Sequence, residues 1–362
     1  MAVKDGILIL NKPQEWTSSD CVAICRRALK CKGIKKVGHG GTLDPMATGV
    51  LPIFVGQATR IMEYLDLDDK TYRCTAQLGK VTDTLDIWGE VLETRDFSDV
   101  SELDVAEGLK SFVGWIEQTP PKYSAVRING KRLYEYAHKG QEISVDITKR
   151  IVNVSDIELI SIDMTKGEFV FDVTCSKGTY IRSICSDLGD KLGCGCVMTG
   201  LERTRVGNIG LDMDLPVCSP LEIKERLEQI KTEAAEKESH AAETEAYAAE
   251  TEAYAMELEG QFLEADHPLV HFGKVEIADD RVVYFSRGNA IRWSQVKVLS
   301  EPDVAYMKSR GRDGQMPLNA RGREYDCIYR VYDRSGAFLG TGFYDRKERL
   351  LKADKVFIEQ IR

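Results

Sequence analysis

The chain has no run of about 18 apolar residues, the length a helix needs to cross a bilayer. Its start, MAVKDGILILNKPQEW, carries a charge at Asp5 and breaks at Lys12 and Pro13, so a secretory signal is not expected. The ten cysteines contain no CxxC pair. That argues against a zinc site and leaves reduced, buried thiols as the expectation. There is no Gly-Lys-Ser/Thr ending that would make a P-loop, and no GxGxxG dinucleotide fingerprint. A net positive charge is missing too. The formal balance is -9, which looks wrong for a nucleic-acid binder. These absences point to a cytoplasmic protein with no resident metal or cofactor.

The charge is unevenly placed. Between Leu221 and Gly260 stand 12 Glu against 4 Lys/Arg, so this segment holds nearly the whole imbalance. The rest of the chain is close to neutral and leaves room for a basic face. The acidic segment contains AAETEAY twice, at Ala241–Tyr247 and Ala248–Tyr254. Ala and Glu favour helix, and two repeats are too few for a coiled coil. A solvated acidic helix inserted in a loop is expected.

Before this insert, strands and helices alternate. DGILILNKP reads as a buried strand ended by Pro13. TSSDCVAICRRALK reads as a helix capped by Thr17 or Ser18, with Cys21, Val22, Cys25, Ala28 and Leu29 on its apolar face. YRCTAQLG predicts a strand from Tyr72. SELDVAEGLKSFVGWI opens with Ser101 and Asp104 at capping-box spacing. KRIVNVSDIELISID and GEFVFDVTC have strand periodicity, and IRSICSDLGDKLG is a helix closed by Gly193. The fold class expected is α+β, a mixed and largely antiparallel sheet with flanking helices. The last part reads as a small β-rich domain, with MKSRGRDGQMPLNARGRE as a mobile basic loop.

Three stretches carry chemistry. In GHGGTLDPMATGVLPI, Asp44 is the one side chain able to attack. Pro45 restricts its backbone, and Gly40 and Gly41 admit conformations costly to other residues. Composition alone leaves two readings open, a structural turn or a positioned carboxylate. In CSKGTYIRSICSDLG, a strand ends and a turn presents Tyr180 and Arg182 before a helix. An arginine there can hold a carboxylate ionised. In DKTYRC, Tyr72 heads a strand. A glycoside hydrolase would need a second carboxylate. Asp83 and Asp86 in TDTLD are available, but turn capping is the plainer role for them.

Together these stretches resemble the TruB family of tRNA pseudouridine-55 synthases. Gly38–Leu51 follow that family's nucleophile motif throughout, and LNKPQEWTSSD, DKTYRC, LGKVTDTLDIWGE, CSKGTYIRSICSDLG and LERTRVG fall in its order. The resemblance implies isomerisation of uridine 55 in the TΨC loop of tRNA, with a flipped base and no cofactor. It implies Asp44 as nucleophile, Arg182 as its cationic partner and Tyr72 as the residue that stacks on the base and moves a proton. Tyr180 and Leu201 would line the uracil pocket, and His39 would enter the RNA loop. Lys12 and Pro13 would support the catalytic loop.

The resemblance also implies an organisation. Residues 1–230 would be the catalytic domain, with a thumb-like RNA clamp near 120–150. That clamp falls in PPKYSAVRINGKRLYEYAHKGQEI, where basic residues alternate with tyrosines. An acidic insert (231–260), a return segment (261–275) and a PUA-like RNA-binding domain (276–362) would follow. Such an enzyme acts on the T arm of tRNA as a monomer, without a guide RNA or protein partner.

Overall fold

The computed structural model describes residues 5–34, 36–124, 127–128, 131–132, 149–237 and 240–357. Most of the expected thumb-like segment lies outside the described residues. In chain order the elements begin with strand β1 (Gly6–Lys12), helix α1 (Ser18–Ala28), β2 (Val37–His39) and β3 (Thr48–Val55). Strands β4 (Lys70–Leu78), β5 (Lys80–Thr82) and β6 (Val91–Thr94) follow, then α2 (Glu102–Lys110) and β7 (Gly114–Gln118). A short pairing of β8 (Arg127–Ile128) with β9 (Lys131–Arg132) precedes β10 (Arg150–Asp163), β11 (Glu168–Cys175), α3 (Ile181–Leu192) and β12 (Cys196–Val206). Next come β13 (Ile209–Gly210), β14 (Val217–Cys218), α4 (Pro220–Ala235) and α5 (His240–Gly260). The last stretch holds β15 (Gly273–Ile277), α6 (Asp279–Ser286), β16 (Ile291–Arg292), β17 (Val296–Ser300), α7 (Val304–Ser309), β18 (Ile328–Tyr332), β19 (Phe338–Asp345) and β20 (Leu350–Val356).

The chain divides into two compact units. The first takes the residues up to Pro45, then Gly49–Leu67 and everything from Gly207. Here β1 lies between β3, antiparallel, and β14, parallel. A strand with neighbours on both edges and cover on both faces should be apolar without alternation. Residues 6–10 of β1 are accordingly all buried. The β1–β3 register sets Lys12 opposite Gly49, at the C-terminal end of the Asp44 loop. Strand β2 pairs with β3 and ends at His39. A second sheet, in the order β16-β20-β19-β18-β15-β17, closes over Val275, Ile277, Phe285, Ile291, Tyr329, Val331, Leu339 and Leu351. This is the expected β-rich C-terminal part.

The Ala/Glu repeat is not simply solvated. Helix α5 buries Thr251, Tyr254, Ala255 and Leu258, spaced as one helical stripe. It packs on α4, α1 and the turn at Lys30–Lys32. Lys32 meets Glu252 at 3.3 Å, and the Cys31 thiol donates to the Thr251 carbonyl. The repeat looked unpatterned because the buried stripe takes only Thr251 and Tyr254 from it and continues beyond it through Ala255 and Leu258. The basic stretch MKSRGRDGQMPLNARGRE is likewise not a bare loop. It contains the last turn of α7, a turn in which Asn319 Oδ1 accepts from the amides of Arg321 and Arg323, and two arginines on Asp354 at 2.5 and 3.1 Å.

The second unit runs from Asp68 to Val206, with Met46–Thr48. Its strands β12-β4-β11-β10-β7 pair antiparallel throughout. Helices α2 and α3 cover one face, over a core that includes Cys74, Ala76, Phe169, Phe171, Ile184, Cys185, Leu188 and Met198. The capping box at Ser101 and Asp104 forms as its spacing predicts. The helix that it opens stops at Lys110, however, and Trp115 and Ile116 belong to β7. Gly114, at φ 108°, makes the turn between them.

Candidate active site

The Asp44 loop is held from the N-terminal side of the chain. Thr17, not Ser18, caps α1, through a box with Asp20. That frees the Ser18 hydroxyl, which accepts from the Leu43 amide at 2.9 Å and donates to the Leu43 carbonyl at 3.1 Å. On the other side of Asp44, the Pro45 carbonyl accepts from the Glu15 amide at 2.8 Å and from Lys12 Nζ at 3.4 Å. Lys12 is fully buried, and its ammonium also donates to the carbonyls of Pro13 (2.9 Å) and Trp16 (2.6 Å). A buried cation is tolerable when oxygen acceptors replace its water. Asp44 itself is half-buried. Its two neighbours are thus fixed by groups outside the loop.

The two glycines of this loop serve different needs. Gly41 has φ 110°, where a side chain would strain the backbone. Gly40 is glycine for space: a Cβ there would stand 2.8 Å from Phe54 and 2.9 Å from Leu65. Its amide donates to Pro52 at 2.8 Å. His39, at the end of β2, is half-buried.

The second unit carries Tyr72, Tyr180, Arg182 and Leu201. Tyr72 lies on β4 opposite Val173 of β11 and Arg203 of β12. Leu201 lies opposite Cys74, so it is a diagonal neighbour of Tyr72 on the same face. Both pack, partly buried, against the core that contains Ile181. Tyr180 is the N-cap of α3 but offers its helix no side-chain cap. Gln118 supplies the missing order. Its Oε1 accepts from the Tyr180 amide at 2.7 Å and its Nε2 donates to the Tyr180 carbonyl at 2.9 Å.

Arg182 is 6% exposed and lies in the first turn of α3. A cation there opposes the helix dipole, so it needs compensation. Asp86 provides it, Nη1 to Oδ2 at 3.3 Å, and the guanidinium also donates to the carbonyls of Thr84 (3.1 Å) and Tyr123 (2.9 Å). Asp86 is also the turn cap expected of it, accepting from Thr84 Oγ1 at 2.8 Å and from the Trp88 amide at 3.1 Å. Between them Leu85 takes φ 64°, a strained conformation for leucine. Its carbonyl accepts from the Met198 amide of β12 at 3.3 Å, which helps hold it there.

Gln118 therefore adds to the residues singled out from the sequence, and Asp86 and Ser18 hold contacts beyond the capping roles expected of them. Nothing in the EQTPP stretch distinguished Gln118. Asp86 had only its neighbour Asp83 as a signal, and Ser18 was one of two equal cap candidates. Behind β4, the thiols of Cys74, Cys185 and Cys196 lie together in the core. Burial holds Cys74 and Cys196 well above the usual thiol range and takes Cys175 to about 12. They are core residues, as expected. Among the described residues, Glu324, Asp326 and Cys327 are grouped closely enough to ligate a metal. Both carboxylates are engaged by Arg346, at 3.3 and 2.8 Å.

This antiparallel α+β unit, with a β-rich sheet at the C-terminus, defines the pseudouridine synthase fold with a PUA-like domain. The chain superposes on an archaeal box H/ACA sRNP Nop10-Cbf5 complex with TM-score 0.64 and 20% identity, covering 99% of this chain and 88% of that one. It superposes equally on an H/ACA RNP bound to a substrate RNA containing 2'-deoxyuridine, with TM-score 0.63 and 21% identity over 98% and 86%. The sequence gives the narrower class. Residues 26–181 match the TruB family pseudouridylate synthase N-terminal domain, and residues 182–240 match the tRNA pseudouridylate synthase B C-terminal domain. A tRNA pseudouridine synthase B from Clostridium perfringens is 36% identical over 98% of this chain and 100% of its own. One from Bacillus subtilis is 48% identical over 58% of this chain and 67% of its own. The chain belongs to the TruB family of tRNA pseudouridine synthases, which are isomerases. None of its described helices is long and apolar enough to cross a membrane.

Proposed function

We propose that this enzyme converts uridine 55 in the TΨC loop of tRNA to pseudouridine, alone and without a guide RNA, in the cytoplasm. The reaction breaks the bond from N1 to the sugar, turns the base and joins C5 to the sugar. C5 loses a proton and N1 gains one, so nothing is consumed. One nucleophile, a carrier for that proton and a pocket for the everted base suffice.

The observation that carries this reading is the bracketing of Asp44 by Ser18 on one side and Lys12 on the other. A mere turn needs no such anchoring, whereas a nucleophile must keep one position. Asp44 is assigned as the nucleophile. Arg182 is assigned as the cation that keeps it charged, and Tyr72 as the ring that stacks on uracil and carries the proton. Tyr180 and Leu201 line the base pocket, and His39 enters the T loop. Lys12 and Pro13 support the loop. The domains are assigned as expected from the sequence: a catalytic part to about 230, an acidic insert, and an RNA-binding C-terminal part from about 276.

The test is a tRNA transcript incubated with purified enzyme and nothing else. Stoichiometric pseudouridine in the T loop is expected, and Asp44→Asn should bind the transcript and make none. Product from Asp44→Asn would remove the nucleophile assignment. Product that appears only with an added guide RNA or partner protein would remove the stand-alone reading.

A further inference from the structure

Arg203 is 1% exposed and, among the described residues, heads the fully buried side chains by size. Burying a guanidinium is costly unless it meets acceptors, so its neighbours matter. It stands directly opposite Tyr72 in the β4–β12 register, and the two side chains share a hydrogen bond. A guanidinium has donors only. The Tyr72 phenol oxygen is therefore the acceptor, and its own proton is left to point elsewhere.

The backbone around this pair is shaped for it. The β4–β12 register slips immediately after Arg203, so that Arg205 faces Thr71. Such a bulge bends a strand and re-aims the side chains beside it. Thr204, inside the bulge, donates through Oγ1 to the Thr71 carbonyl at 3.3 Å. Thr71 in turn shares a hydroxyl hydrogen bond with Thr174 of β11 at 3.0 Å. The residue before Tyr72 is thus tied to both neighbouring strands.

We propose that Arg203 is a positioning residue for Tyr72: it holds the phenol oxygen, directs the phenol proton toward the base pocket and stabilises charge that develops on that oxygen. The proposal rests on the reading of Tyr72 as the residue that handles the proton. It is supported by the electrostatics, since burial lowers the Arg203 guanidinium from its ordinary range while Tyr72 acts in the opposite direction. Other titratable groups on this face of the unit include Lys70 and Cys74 on β4, Cys175 on β11, Cys196 on β12, and Cys185 and Arg182 on α3. Arg182 is paired with Asp86 at 3.3 Å. Burial keeps Cys74 and Cys175 above the range in which a rate profile would register them.

The test is a double-mutant cycle read by single-turnover pseudouridine formation on a T-arm transcript between about pH 6 and 10. The variants are Arg203→Gln, Arg203→Lys, Tyr72→Phe and the combination of Arg203→Gln with Tyr72→Phe. Arg203→Gln should slow the reaction by roughly 100-fold, the scale of a positioned proton-transfer group. It should leave transcript binding within about 3-fold and move the alkaline limb of the profile to higher pH. Arg203→Lys, which keeps the charge, should recover most of the rate. In the Tyr72→Phe background Arg203→Gln should cost nothing further, because a positioning residue has no effect without the group it positions. An equal loss in both backgrounds, or an unmoved limb, overturns the proposal and leaves Arg203 a structural residue. If Arg203→Gln fails to fold by circular dichroism, Arg203→Met, which removes the donors at similar volume, takes its place in the same cycle, with additivity again the overturning result. Tyr72→Phe at the wild-type rate would instead remove the reading of Tyr72 itself, whatever Arg203 does.

Discussion

The Ser18 hydroxyl accepts from the Leu43 amide and donates to the Leu43 carbonyl, at 2.9 and 3.1 Å. One side chain thereby satisfies both polar groups of the residue before Asp44. Ser18→Ala leaves a buried amide and carbonyl without this partner, a loss of about 1–3 kcal/mol. The Asp44 carboxylate would also lose its fixed position, so the single-turnover rate should fall by about 10-fold or more while transcript affinity holds. Thermal melts and rapid-quench assays check both. A rate unchanged alongside a lowered melting temperature would show that Ser18 serves the fold alone.

Asp86→Asn removes the charge that compensates Arg182 in the first turn of α3. Breaking a buried ion pair on one side costs roughly 3–5 kcal/mol. Asparagine keeps an acceptor, so about half of that is expected. The rate should fall by about 100-fold, the range of a lost electrostatic group in an active site. Combined with Arg182→Met, the substitution should add little, since the two residues act as one. Additive losses would show that Asp86 works independently of Arg182.

The acidic helix makes a contrast available within one element. Leu258 is 2% exposed, and Leu258→Ala should cost about 2–4 kcal/mol as a core truncation. Glu243→Gln and Glu245→Gln, on the outward part of the repeat, should change stability by less than about 0.5 kcal/mol. Urea denaturation distinguishes them. A near-neutral Leu258→Ala would mean that α5 does not dock as described.

His271 gives a pH dependence with a definite sign. It is 6% exposed, with its ring 4.3 Å from Phe272 and 5.2 Å from Tyr306, and burial pushes its imidazole down to about 4 from an ordinary 6.5. Between these values the unfolded chain binds a proton that the folded chain does not. Its contribution to stability is therefore fully present above about pH 6.5 and is lost as pH falls toward 4, by on the order of 2–3 kcal/mol. Urea midpoints at pH 7.5 and 5 should differ more for the wild type than for His271→Phe. Equal differences would assign the acid sensitivity to other groups.

The sequence was most legible where pattern and chemistry coincide. β1, α1 and the Ser101 capping box follow from apolar runs and cap spacing, and the strands around Tyr72 from alternation. The anchoring of Asp44 was not legible. Ser18 and Lys12 are separated from it by 26 and 32 positions, and only the β1–β3 register brings their neighbourhoods together. The Gln118 clamp on Tyr180 was hidden for the same reason, since glutamine before a proline pair looks like any loop residue. Helix α5 was read as solvated because only Thr251 and Tyr254 of its repeat are buried, and the rest of the stripe, Ala255 and Leu258, lies past the repeat. Gly40 was read as a matter of dihedral freedom, and the structure shows a matter of room.

The Tyr64 hydroxyl, in the 3-10 segment Gly56–Leu67 that follows β3, hydrogen-bonds Thr341 of β19 and Asp354 of β20. Asp354 is almost fully buried and also holds Arg321 and Arg323. Lys355 next to it reaches Glu63 at 2.5 Å. The C-terminal sheet is therefore stitched to the segment that directly follows β3, the strand after the Asp44 loop, not hung from a tether. A chain shortened before β19 would lose the surface proposed to bind RNA and, in addition, would leave the scaffold beneath the proposed nucleophile with unmet polar groups. Any loss of activity on such a truncation has to be apportioned between a missing grip on tRNA and a loosened active site.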